Sequence, residues 1–149
     1  MFESWTEIYS NSAVWRSVIL YLHVGGLLIG GGAAVAADRA TLRSAPGDSN
    51  QLKAIAGSHR VILASLAAIV VSGALMLTAN LDTFLASPWY WTKMALVAML
   101  LINGVGLTRA ERAARAGEPS GWPRLCRASM TSLALWVLIT FFGAVLPNV

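Results

Sequence analysis

His23 is the residue of this sequence with the strongest claim to chemistry. It is the one side chain titrating near neutrality in the apolar run 17–37, SVILYLHVGGLLIGGGAAVAA. An ionisable group inside such a run is costly unless it faces protein, water or a ligand, so it is a functional candidate by default. Gly26, Gly30 and Ala34 follow it at i+3, i+7 and i+11. That smooth stripe suits either a neighbouring helix or a flat macrocycle. In the first case His23 is a neutral, hydrogen-bonded packing residue. In the second it ligates haem iron or copper, with Gly26 and Gly30 clearing room for the ring.

Depth supplies further candidates. His23 lies six residues into its run, about 9 Å below the bilayer edge by helical rise. Met76 ends the second apolar run, and Lys93 and Met94 open the third, all on the same side. Imidazole with thioether suits a His/Met haem or a copper(I) site, which makes His23, Met76 and Met94 the candidate metal set. Methionine in an apolar helix otherwise fills gaps. Lys93 either snorkels to the interface or pairs with an anionic group such as a propionate. His59 falls at the mouth of the second run beside Arg60, where an exposed or phosphate-facing imidazole is expected. In antiparallel helices its depth differs from that of His23 by on the order of 20 Å. The two histidines therefore do not share one haem within one chain. Asp38, Arg39 and Arg43 read as a solvated cluster at the end of the first run. Ser65, Ser72, Gly73, Asn103 and Gly104 read as interhelical packing and hydrogen bonding.

The elements that must position these groups follow from composition. The chain has 149 residues, 56% hydrophobic and 12% charged, with mean hydropathy +0.63. Soluble domains carry about 25% charged residues, so a soluble enzyme is excluded, as is a disordered or collagen-like chain. Four apolar runs, at about 17–37, 61–79, 89–108 and 128–146, are each long enough to cross a ~30 Å hydrocarbon layer as a helix. Strands are excluded because open edges do not survive in lipid and no barrel-type alternation is present. The expected fold is an all-α, integral membrane four-helix bundle in a single domain spanning 1–149. A lone cysteine, Cys126, excludes an internal disulfide or a CxxC motif, and the two histidines match no HExxH spacing.

Charge sets the expected orientation. Nine of the eleven basic residues lie between runs one and two (Arg39, Arg43, Lys53, Arg60) or between runs three and four (Arg109, Arg112, Arg115, Arg124, Arg127). Positive residues stay in the cytoplasm, so both termini are expected outside, in a multi-pass protein of a cell inner membrane. This distribution explains the net charge of +4 without nucleic acid. Glu3 and Glu7 stand where a secretory signal has its basic region. Phe2, Trp5, Ile8 and Tyr9 fall near helical spacing and suggest a short helix on the outer surface. Trp15, Trp89, Tyr90 and Trp91 form an aromatic belt at the same interface.

The stretch Tyr21-Leu22-His23-Val24-Gly25-Gly26, with Asp38-Arg39 at the end of its run, resembles a group of small bacterial membrane proteins. So do Ser72-Gly73-x-Leu75-Met76 and Pro88-x-Tyr90-Trp91-x-Lys93-Met94. The group comprises uncharacterised four-helix proteins, the copper-resistance protein D domain and the HemJ-type protoporphyrinogen oxidases. The likeness covers about Ser17 to Leu107 and is nearest to the uncharacterised members. By resemblance to the oxidases, a haem-associated role falls on His23 and an accompanying one on Lys93. By resemblance to the copper-resistance proteins, His23, Met76 and Met94 are linked to copper. The expected function is a haem b-binding membrane redox protein passing electrons to a quinone-like or porphyrin-like partner. A non-catalytic accessory subunit of a larger membrane complex, a homo-oligomer, and a copper-handling protein are the alternatives. Cys126 reads as a small packing residue.

Overall fold

The structure, a computed structural model, describes residues 2–145. Over that range it is helical, with no strand. The elements are α1 (Phe2–Asn11), α2 (Ala13–Gly26), a π-helical segment (Leu27–Gly31), α3 (Gly32–Arg43), α4 (Ser49–Ala79), α5 (Leu81–Ala86), α6 (Pro88–Arg115) and α7 (Gly121–Val145). α2, the π segment and α3 run on as one helix, Ala13–Arg43. That helix, α4, α6 and α7 are long and apolar enough to cross a membrane.

These four helices enclose the expected runs and exceed them, most of all at the ends that carry the basic residues. Lys53 and Arg60 lie on α4, Arg109, Arg112 and Arg115 on α6, and Arg124 and Arg127 on α7. The sequence reading put all seven in loops. Arginine, lysine and alanine are good helix formers, so the helices continue until a breaker stops them. The breakers are Pro46-Gly47 and Gly117, whose glycines have φ of +79° and +77°. After α6, Gly117 N–H donates to Ala114 O and Glu118 N–H to Ala113 O, the double bond of a Schellman cap. Asp48 caps α4 by accepting from Asn50 and Gln51 N–H. Gln51 Nε2 then reaches back to Ala37 O at 3.1 Å and Thr41 Oγ1 at 3.0 Å, tying α3 to α4. Leu146, the last residue of the fourth expected run, lies outside the described residues.

Polarity inside and outside is inverted relative to a soluble bundle. Tyr21, Leu28, Ile102 and Val137 are exposed, while Asp38, Ser72, Glu111 and Ser129 are buried. A lipid-facing surface with polar interhelical contacts has this pattern. α6 and α7 pack along their length, α2 packs on α4, and α3 packs chiefly on α7. α4 and α6 scarcely touch, and a cleft opens between them. One core cluster, around Leu100, Leu135, Trp136 and Ile139, lies in the middle of the bundle. A second, around Leu52, Ile55, Trp122 and Leu125, closes the basic end. At the far end α1 leans on α4, with Trp5 Nε1 donating to Leu75 O at 3.2 Å. Trp15, Trp89 and Trp91 are exposed at that end.

Candidate functional site

The far half of the bundle brings His23 and Lys93 together. His23 Nδ1 lies 3.0 Å from Ser72 Oγ, and Ser72 Oγ is 2.6 Å from Ala68 O. A serine hydroxyl has one proton. If it goes to the Ala68 carbonyl, Ser72 must accept from the ring, and Nδ1 carries the hydrogen. Nε2 of the neutral imidazole is then left with its lone pair. The same second-partner logic orients metal-bound histidines. The ring rests against Gly73, where an added Cβ would be 3.4 Å from Cε1. Lys93 interacts electrostatically with this ring from α6. Its ammonium would be 3.6 Å from a Cβ at Gly143 on α7, and no carboxylate among the described residues pairs with it. Met76 is half-buried one turn beyond Ser72 on α4, and Met94 is half-buried beside Lys93.

Gly26 and Gly30 have a different use. A Cβ at Gly26 would meet Ile69 Cγ1 at 2.9 Å, and one at Gly30 would meet Ser65 Cβ at 2.4 Å. The space these glycines clear is filled by α4. Fit to a haem is therefore divided: His23 and Lys93 offer a ring nitrogen and a cation for an acid group, whereas the Gly26–Gly30 face admits no macrocycle beside α4. Among the described residues, no three histidine, cysteine, aspartate or glutamate side chains cluster as a metal site.

Toward the basic end, two groups depart from the sequence reading. Asp38, placed there with Arg39 and Arg43 in a solvated cluster, is only 5% exposed, whereas both arginines are exposed. α3 turns it inward against α7, where it faces the hydroxyls of Ser132 and Ser129. His59 does not simply face solvent. Its Nε2 is 3.5 Å from Glu111, a carboxylate buried on α6 and also held by Arg115 Nε at 2.9 Å. His59 and Ser72 are thirteen residues apart on α4, about 20 Å by rise, so the two imidazoles occupy opposite halves of the bundle. A cavity of about 470 Å³ lies between α4 and α6, with Asp38, Ser129, Ser132, His59 and Trp136 among its walls.

Comparison of the chain with protein-family models, curated proteins and solved structures returns no match. The site is therefore read from its own geometry. Sequence reasoning missed Glu111, Ser129 and Ser132. Glu111 stands four residues before Arg115, the spacing of a helical ion pair. Ser129 and Ser132 are three apart in an apolar helix, a polar stripe that signals a helix contact. Asn103, read as packing, does so by donating Nδ2–H to Ala128 O at 2.9 Å. Gly104 meets nothing within 4 Å at its Cβ position and lines the cavity instead.

Proposed function

We propose that the far half of this bundle binds a lipid-soluble, acid-bearing ring cofactor, haem b being the first to test, and that the protein passes electrons within the membrane. The observation that carries this reading is the His23–Lys93 pair. Ser72 engages the His23 Nδ1, which in the tautomer that donates to Ser72 leaves the Nε2 lone pair for a ligand, and Lys93 has no described carboxylate to neutralise it. A histidine nitrogen is what haem iron commonly takes from a protein. An ammonium shielded from water is satisfied best by a carboxylate. His23 and Lys93 would hold the group, which supplies a one-electron couple when bound. Copper held by His23, Met76 and Met94 is the second reading, favoured by Met76 one turn from Ser72 on α4. The partner would be a quinone-like or porphyrin-like molecule of the bilayer.

The absorption spectrum of detergent-purified protein tests the proposal. Wild-type protein should show a Soret band that His23→Ala removes. Lys93→Met should lower haem content without changing helix content, and His59→Ala should leave the spectrum intact. A colourless wild-type protein that takes up no added haemin would overturn the haem reading. Copper content above that of His23→Ala would then support the alternative.

The positive-inside rule places the basic end in the cytoplasm and both termini outside, in a bacterial inner membrane. In a Cys126→Ser background, Glu118→Cys should resist an impermeant thiol reagent in intact cells and Asn148→Cys should react. The reverse labelling would invert the topology.

A further inference from the structure

The cleft between α4 and α6 holds a buried carboxyl group that no cation of the described residues faces. Asp38 on its wall is 5% exposed, and among the described residues no cation pairs with it. Arg39 and Arg43, its neighbours in sequence, are exposed. No lysine or arginine lines the cleft. His59, at its basic-end edge, is already engaged by Glu111 at 3.5 Å. Ser129, 1% exposed and on the same wall as Asp38, turns its hydroxyl toward that carboxyl group as Ser132 does, but without the geometry of a full hydrogen bond to any described residue. Ionising a buried carboxyl group that has only hydroxyls for company is costly, and the cost falls when a ligand brings a positive charge to it. The remaining wall is apolar, formed by Leu63, Leu66, Leu100, Leu101 and Trp136.

We propose that this cleft is a binding site for a lipophilic organic cation that enters sideways from the bilayer. Leu63, Leu101 and Val105 at its rim are exposed on the lipid-facing surface, so a solute dissolved in hydrocarbon reaches it without crossing the bundle. A volume of about 470 Å³ is that of a small-molecule site. The cationic head meets Asp38, with the Trp136 ring in the same wall as an aromatic neighbour for positive charge. An anion gains no partner from Asp38. A neutral quinol gains a hydrogen bond there but brings no countercharge to hold the carboxyl group ionised. The cleft is independent of the His23–Lys93 site, because Asp38 lies fifteen residues from His23 on one continuous helix, about 22 Å by rise.

Titration calorimetry of the full-length protein in nanodiscs with tetraphenylphosphonium tests this. Wild-type protein should bind the cation saturably, one per chain. Asp38→Asn should weaken binding on the order of thirtyfold or more, the usual result of truncating one side of a buried charge pair. Asp38→Glu should retain most of it. Leu101→Trp blocks the mouth without touching the acid and should also weaken binding at unchanged melting temperature. Absence of saturable binding to folded wild-type protein would overturn the site. So would wild-type affinity in Leu101→Trp, which reads the mouth even if the Asp38 variants fold poorly. Tighter, Asp38-dependent binding of duroquinol would replace the cation with a neutral quinol.

Discussion

Gly30→Ala should lower the stability of the detergent-solubilised protein by on the order of 2–3 kcal/mol, read as a fall in melting temperature. A Cβ at Gly30 would stand 2.4 Å from Ser65 Cβ and 3.1 Å from Ser65 Oγ. Both β-carbons are fixed to their backbones, so no rotamer change relieves the overlap, and the helices must move apart. That movement also opens the contact of Gly26 with Ile69 and the Ser65 carbonyl. In lipid, helices associate through such close packing rather than a hydrophobic drive, so small residues at the seam carry much of it. Ser65→Gly in the same chain removes the obstructing carbon and should restore most of the loss, a coupling that a double-mutant cycle measures directly. Gly25→Ala and Gly32→Ala serve as controls, because nothing lies within 4 Å of either Cβ position. Alanine is the better helix former, so those two should be neutral or mildly stabilising. Equal losses at Gly30 and Gly32 would mean that the seam does not lie where the structure puts it.

The four spans were legible because a long apolar run with few charges admits one solution in a bilayer, a helix. The ends of the helices were not, since hydropathy marks where lipid begins rather than where hydrogen bonding stops. Lys53 and Arg112 are helical though polar, and at the basic end the helices are interrupted at Pro46-Gly47 and Gly117. The π-helical turn at Leu27–Gly31 was also invisible, and it matters most. A wider turn rotates the face that follows it. Before the turn α2 packs on α4, and within it Gly30 still meets Ser65 of α4. After it, α3 packs chiefly on α7. Gly31 already meets Trp136 of α7, its Cβ position being 3.2 Å from the ring.

Reading one continuous stripe from His23 through Ala34 therefore assigned a single partner to a helix that has two. His23 and Gly26 lie before the turn, so their common face toward α4 does not depend on it. Asp38 lies after it, so its contact with Ser129 and Ser132 required knowledge of the hand-over to α7. His23 stood out as an ionisable residue in an apolar run, and Lys93 joined it because it opens the third run at a similar depth. Gly30 was placed on a smooth face open to either a helix or a macrocycle, and the fold lays α4 there. Sequence spacing shows where a surface is smooth, and only the fold shows what lies on it.

Arg115→Met should cost about 3 kcal/mol, the usual result of leaving a buried carboxylate without its partner. Glu111 is 4% exposed. Arg115 holds it through Nε at 2.9 Å and Nη2 at 2.7 Å, and His59 approaches from α4 at 3.5 Å. Arg115 Nη2 also donates to the Leu52 carbonyl, so one guanidinium joins α6 to α4 where those helices otherwise scarcely meet. An exposed ion pair would contribute little, but here only the arginine reaches water. Its side chain is 39% exposed against 6% for Glu111. Methionine preserves the apolar stem and deletes the charge and the fork together. Arg115→Lys keeps the charge without the planar fork and should recover part of the loss. Glu111→Gln removes the charge that needs a partner and should cost less than Arg115→Met. Added to Arg115→Met, it should relieve rather than worsen the defect. Melting curves give the order, and amide exchange should rise first at the start of α4, around Leu52. If Arg115→Met and Glu111→Gln each cost the same and simply add, the buried carboxylate does not govern the stability of the basic end.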